Sequence, residues 1–140
     1  MRYIIIDTSS ILFGLRFNKN VFEIVRETYI SNYKLVISKG IINELKRLSL
    51  AKSRLARNAK LALSIISLIK ENERKIFIYK DSNINADNWI LSMLGNFSNL
   101  VVITNDTQLA KTLSNKSKTY INKGADIFKI TKQGVLKKFR

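Results

Sequence analysis

Asp106 follows the run Leu100-Val101-Val102-Ile103-Thr104-Asn105. Successive aliphatic residues suit a central parallel strand buried on both faces. A carboxylate just past such a strand emerges where open α/β sheets bind their ligands. Asp is also a favoured helix cap, and Gln108-Leu109-Ala110 begins a helical pattern. Asn105 can supply that cap, with Gln108 three residues on in a capping-box arrangement, which leaves Asp106 free. The plan recurs at the start of the chain. Tyr3-Ile4-Ile5-Ile6 runs into Asp7, and Thr8, Ser9 and Ser10 are at hand to cap a helix entered at Ile11. Asp7 is spare in the same way.

Two further carboxylates fall on apolar helix faces. Ile41, Leu45 and Leu48 form the stripe of a helix over residues 39–49, and Glu44 shares their side. A lone carboxylate there is costly unless it is paired, hydrogen-bonded or metal-bound. Arg47, one turn on, is one candidate partner and a metal is another. Asp87 opens a helix over residues 85–94 that ends at Gly95, and it lies on the side of Ile90 and Leu94. Either the helix dipole or a site accounts for it. The other acids have plainer readings: Glu23, Glu27, Glu71 and Glu73 as surface charges, Asp81 as loop, Asp126 as turn.

At the C-terminal edge of one parallel sheet, Asp7, Glu44, Asp87 and Asp106 could converge. Packed carboxylates repel unless protons or cations sit among them. Hard oxygen donors without His or Cys select Mg²⁺ or Mn²⁺. Such ions lower the pKa of bound water and steady charge on a phosphodiester, and a pair of them about 3.5–4 Å apart can clamp attacking and leaving oxygens. The composition narrows the field further. The chain has neither His nor Cys, which excludes imidazole and thiolate metal sites, disulfides and a Ser-His triad.

The elements that must position these acids alternate strand with helix. Strands are expected at residues 3–6, 34–38, 74–79 and 100–104, with short edge strands at 119–121 and 127–130. Helices fall between them, including one at residues 20–29, a long amphipathic one at 51–70 and one from 107 to about 114. The pattern implies a three-layer α/β/α domain with a mainly parallel sheet over residues 1–131, followed by a basic tail at 132–140. No run approaches the roughly 20 apolar residues of a membrane span, and the N-terminus does not read as a secretory signal, so a cytoplasmic protein is expected.

Lys and Arg number 25 against 10 acids, a net charge of +15. Such an imbalance points to a polyanionic partner, nucleic acid ahead of an anionic membrane surface. Lys52, Arg54, Arg57 and Lys60 crowd the first half of the long helix with no acid among them. Together with Lys137, Lys138 and Arg140 of the tail they are the candidate phosphate contacts; a solvated charged face is the plainer account. A negative, metal-loading pocket within a positive surface describes a nuclease.

The sequence resembles the PIN-domain (PilT N-terminus) ribonuclease family, from Tyr3-Ile4-Ile5-Ile6-Asp7-Thr8-Ser9 to Val101-Val102-Ile103-Thr104-Asn105-Asp106. The resemblance implies a PIN-like fold, Mg²⁺- or Mn²⁺-dependent cleavage of RNA, and the family's four acidic positions at Asp7, Glu44, Asp87 and Asp106. It assigns supporting hydroxyls to Ser9 and Thr104. Residues 42–48 and 104–109 are more similar to archaeal PIN proteins of the ribosomal-RNA-processing group than to VapC toxins. Asn88 stands where that group often carries a second acid beside the third, a departure that would weaken metal binding. A VapC-type toxin ribonuclease and a catalytically weak RNA-binding module are the alternatives. Candidate protein partners are a second copy of the chain, a ribosome-assembly factor or an antitoxin. Two other folds that place Asp at a strand end are disfavoured. A haloacid-dehalogenase phosphatase needs Asp where Ser9 stands, and a receiver domain needs Asp where Tyr79-Lys80 stands.

Overall fold

The computed structural model describes residues 1–30, 32–72, 76–79, 85–120 and 124–139. Six strands and six helices are ordered β1 (Arg2–Ile6), α1 (Thr8–Arg16), α2 (Val21–Tyr29), β2 (Tyr33–Ser38), α3 (Lys39–Leu48), α4 (Arg54–Asn72), β3 (Ile76–Tyr79), α5 (Ala86–Met93), β4 (Leu100–Ile103), α6 (Thr107–Ser117), β5 (Ala125–Ile130) and β6 (Leu136–Lys138). They build one sheet in the order β3-β2-β1-β4-β5-β6. The first five strands are parallel and β6 runs antiparallel to β5. This is the expected α/β architecture.

The apolar runs form strands because both of their faces are covered. Ile4, Ile5, Val101, Val102 and Ile103 are fully buried at the centre of the sheet. Helix caps follow from small polar residues at the strand ends. Ser38 Oγ accepts from the Ile41 amide at 3.0 Å and so starts α3. Asn20 and Asn85 do the same for α2 and α5. Gly95 closes the α5 region with φ +87°, a left-handed conformation that costs glycine little.

After β1 the chain moves to β2 and β3 on one side; after β4 it moves to β5 on the other. The strand order therefore reverses between β1 and β4, which pair in parallel with Ile6 opposite Ile103. Such a reversal leaves a crevice outside the carboxyl ends of the two strands. Asp7 and Asp106 stand one and three residues past those ends.

Three expectations about the second half change. Thr119 and Tyr120 are not an edge strand: their amides bond back to Lys116 and Ser117 carbonyls at 3.1 Å, so they end α6 as a turn, while Ile121 lies outside the described residues. Asp126 is not in a turn but in β5, where it meets Arg2 and Lys138 at 3.8 and 3.6 Å. Residues 132–139 do not stand apart from the sheet as a tail. The Thr131–Val135 hydrogen bond closes a turn around Gly134 (φ +80°), and β6 joins the sheet as its edge strand. Lysines on such an edge discourage further strand pairing. Residue 131 therefore does not separate a domain from a tail. Among the described residues no helix is long and apolar enough to cross a membrane.

Candidate active site

Asp7 is 5% exposed and begins α1, yet its side chain makes no cap hydrogen bond. Its Oδ2 instead accepts from Ser9 Oγ at 2.6 Å and from Thr104 Oγ1 at 2.9 Å. The second of these reaches across from the turn after β4. Ser9 Oγ also accepts from the Asn105 amide at 3.0 Å, and Thr104 Oγ1 accepts from the Asp106 amide at 3.1 Å. The two turns are thus laced together by the two hydroxyls that the sequence singled out. Their geometry fixes one carboxylate oxygen of Asp7 and leaves the other without a hydrogen bond among the described residues.

Asp106 differs from its expected role. It is the cap of α6, with Oδ1 accepting from the Gln108 and Leu109 amides at 3.0 and 3.1 Å. Asn105 is not the cap because its side chain is drawn the other way. Its Nδ2 donates to the Ile130 carbonyl at 2.9 Å, while Oδ1 accepts from the Ile130 amide at 3.1 Å and Ser10 Oγ at 2.7 Å. Capping consumes only one oxygen of Asp106. Its Oδ2 takes no hydrogen bond among the described residues, so cap and site readings are compatible.

Glu44 is half-buried on α3, beside the buried Ile41 and Leu45. The expected alternative of an ion pair with Arg47 is not made; Thr8 Oγ1 donates to Glu44 Oε2 at 3.2 Å instead. By sequence Thr8 is only one more cap hydroxyl, and its reach to Glu44 is set by the fold. Burial pushes the Glu44 carboxyl above its ordinary range; the Thr8 bond opposes that, and nearby Asp7 and Asp87 add to it. Asp87 stands at the rim, more exposed than its place on the apolar side of α5 predicted. Partial burial raises its carboxyl too, followed by the charges of Asp7 and Asp106. Glu44 and Asp87 therefore lie within electrostatic reach of Asp7, and Asp87 of Asp106 as well. Among the described residues none of them forms an ion pair with Lys or Arg. Asn88, exposed beside Asp87, spends its amide N–H on capping Asn85.

Glu44 and Asp87 face a cleft of about 380 Å³ that Gly40, Asn85 and Ala86 also line. Among the described residues no three acids stand close enough to ligate one ion together. Mg²⁺ keeps several waters and takes only one or two carboxylates from a protein. A set of uncompensated carboxylates with free oxygens fits that mode, not an all-protein cage.

The basic residues separate into groups. Lys52, Arg57 and Lys60 share one acid-free pocket with Ala51 and Ser53. Arg54 turns away from them, its Nη2 donating to the Arg16 carbonyl at 3.3 Å. Lys137 is exposed on β6, Lys138 is engaged by Asp126, and Arg140 lies outside the described residues. The single cationic run of the sequence is thus split: Arg54 is drawn to the Arg16 carbonyl, while Lys52, Arg57 and Lys60 line a separate pocket.

A family model described as a PIN-like domain matches residues 4–123. Among solved structures, the chain is similar to the PIN domain endonuclease Utp24, at 20% identity over 98% of this chain and 92% of that one, TM-score 0.68. It is also similar to a domain of a functionally unknown protein from Methanocaldococcus jannaschii DSM 2661, at 14% identity over 96% of both chains, TM-score 0.66. At these identities the likeness speaks for the fold. Comparison with curated proteins gave no match.

Proposed function

The chain belongs to the PIN-like domain family, and from that premise we propose that it is a metal-dependent endoribonuclease acting in RNA processing. The observation that carries the proposal is the gathering of four carboxylates around the strand-order reversal, with no ion pair to Lys or Arg among the described residues and with one oxygen each of Asp7 and Asp106 left without a hydrogen bond there. Four carboxylates gathered with no ion pair to Lys or Arg among the described residues are costly to keep charged, and capping α6 accounts for only one oxygen of one of them. The residues proposed to hold Mg²⁺ or Mn²⁺ are Asp7, Glu44, Asp87 and Asp106. When bound, such an ion supplies an activated water and offsets charge on the phosphodiester.

The chain's own contribution is positioning. Ser9 and Thr104 fix Asp7 through one oxygen and so aim the other. The α6 cap fixes Asp106 in the same manner. Thr8 orients Glu44. With these three carboxylates held by hydrogen bonds, little reorganisation is left for the moment of reaction. RNA is the proposed partner because a net charge of +15 offsets a phosphate backbone. Ribosomal RNA is a proposed substrate on the resemblance of residues 42–48 and 104–109. A cytoplasmic setting and a protein partner, whether a second copy, an assembly factor or an antitoxin, belong to the same reading.

The test is incubation of the purified chain with structured and single-stranded RNA, with Mn²⁺, Mg²⁺ or EDTA. Internal cleavage that requires the metal and disappears in Asp106→Asn is the expected result. Intact RNA under every condition, or cleavage that persists in EDTA, would overturn the proposal.

A further inference from the structure

A second feature at the same end of the sheet takes no part in the acidic site. Between α1 and α4 lies a groove of about 390 Å³, lined by Leu12, Phe13, Arg16, Arg54, Leu55 and Asn58. No acid is among its lining. Phe13 packs on Phe17 with ring centroids 4.9 Å apart. Above the Phe17 ring sit two cations, Arg16 at 5.4 Å and Lys132 at 5.3 Å. Leu55 remains 48% exposed at the groove. The floor is therefore aromatic and aliphatic, and its edges are positive.

Two connections tie this groove to the acids. Helix α1 starts at Asp7 and ends at Arg16, so its nine residues separate the two by about 13 Å along the axis. Asn105, next to Asp106, holds both backbone groups of Ile130, two residues before Lys132. A strand lying across the carboxylates meets the groove within a few nucleotides.

Apolar and aromatic surface edged by cations is how proteins hold unpaired bases: the base lies on the ring and the phosphate meets the charge. Arg16 and Lys132 each lie over the Phe17 ring, and among the described residues no acid lines the groove, so a phosphate there would meet positive charge. A peptide helix would also use the apolar floor, but only an acidic one would gain from the cations at its edge. We infer that the α1–α4 groove is a binding site for an unpaired nucleotide of single-stranded RNA, its base against Phe13 and Leu55 and its phosphate at Arg16, Arg54 and Lys132. The inference rests on RNA being the substrate.

Binding is read by fluorescence anisotropy with a labelled single-stranded oligouridylate in EDTA, so that no cleavage is needed. An abasic ribose-phosphate oligomer and an RNA duplex of equal length serve as comparison probes. Arg16→Gln with Lys132→Gln should weaken the oligouridylate about tenfold and flatten its log–log salt slope by roughly 1.4, the loss of two phosphate contacts. Phe13→Leu should weaken it at least about fivefold with the slope unchanged, and should leave the abasic probe unaffected. Leu55→Glu, at an exposed position that tolerates substitution, should weaken both single-stranded probes. Circular dichroism and melting curves confirm folding of each variant. Unchanged affinity in the cation pair and in Leu55→Glu would overturn the inference and leave the groove to a protein segment. Equal losses on the duplex would overturn the unpaired-nucleotide assignment. A wild type that binds as expected but never cleaves with Mn²⁺ would instead sink the proposed nuclease and leave the groove standing.

Discussion

The turns after β1 and β4 are built from nearly the same words, an aliphatic strand, small polar residues, an Asp and a helix, yet they use their carboxylates differently. Asp7 begins a helix without capping it and is gripped by two hydroxyls. Asp106 caps its helix with one oxygen and keeps the other. Both end with one oxygen committed and one available. The committed oxygen is secured by side chains in one turn and by backbone amides in the other. The difference teaches that a strand-end Asp can cap a helix with one oxygen and still present the other.

The largest expected effect treats the two turns alike. Asp7→Asn and Asp106→Asn should each reduce RNA cleavage by roughly a thousandfold, since a metal-held charge is worth several kcal/mol to the transition state. Their melting temperatures should stay level or rise, because each change removes like-charge repulsion. Cleavage assays beside thermal melts check both halves.

Asn105→Ala should break the comparison from the structural side. It abandons three hydrogen bonds, to Ser10 and to both backbone groups of Ile130. A cost of about 1–3 kcal/mol follows from leaving such groups without partners, measurable by urea unfolding. A destabilisation as large from either Asp→Asn change would make those acids structural.

A smaller effect separates the turns. Asn caps helices about as well as Asp, whereas Ala forfeits the cap at about 1 kcal/mol. Asp106→Ala should therefore melt below Asp106→Asn while cleaving no better. Equal melting temperatures would remove the cap from the account.

The smallest effect belongs to the helix-borne pair that faces both turns. Glu44 and Asp87 hold their protons more tightly in the folded chain than their ordinary values of 4.5 and 3.8 imply. The stability this contributes is full below those values and is lost as pH rises through the raised folded ones. Metal-free wild type should lose more stability on that rise than a Glu44→Gln, Asp87→Asn double variant. Melting curves in EDTA across the acid range show whether it does.

The sheet, and the strand ends and helices that carry the four candidate acids, were legible because their signals are local. Runs such as Ile4–Ile6 and Val101–Ile103 can bury both faces only as central strands, and carboxylates on apolar stripes stand out in a chain with few acids. What stayed hidden was decided across the fold. Whether Asn105 or Asp106 caps α6 depends on Ile130, 25 residues away. Thr8 finds Glu44 across 36 residues. The last strand, Leu136-Lys137-Lys138, has no apolar alternation to announce it; its pairing comes from the exposed backbone of β5. The cationic run is continuous in sequence, but a contact across 38 residues takes Arg54 to the Arg16 carbonyl and away from the pocket of Arg57.

The central claim is that these carboxylates form a cation site, and the most direct measurement is titration of Mn²⁺ into the protein without RNA, read by calorimetry and by thermal melting. Ligand specific for the folded state stabilises it by about 2.7 kcal/mol at a hundred times its Kd. Wild type should give binding heat and a melting temperature that climbs with Mn²⁺, while the Asp7→Asn, Asp106→Asn double variant gives neither. A wild type that takes up no Mn²⁺ and melts at the same temperature in millimolar metal as in EDTA would contradict the account.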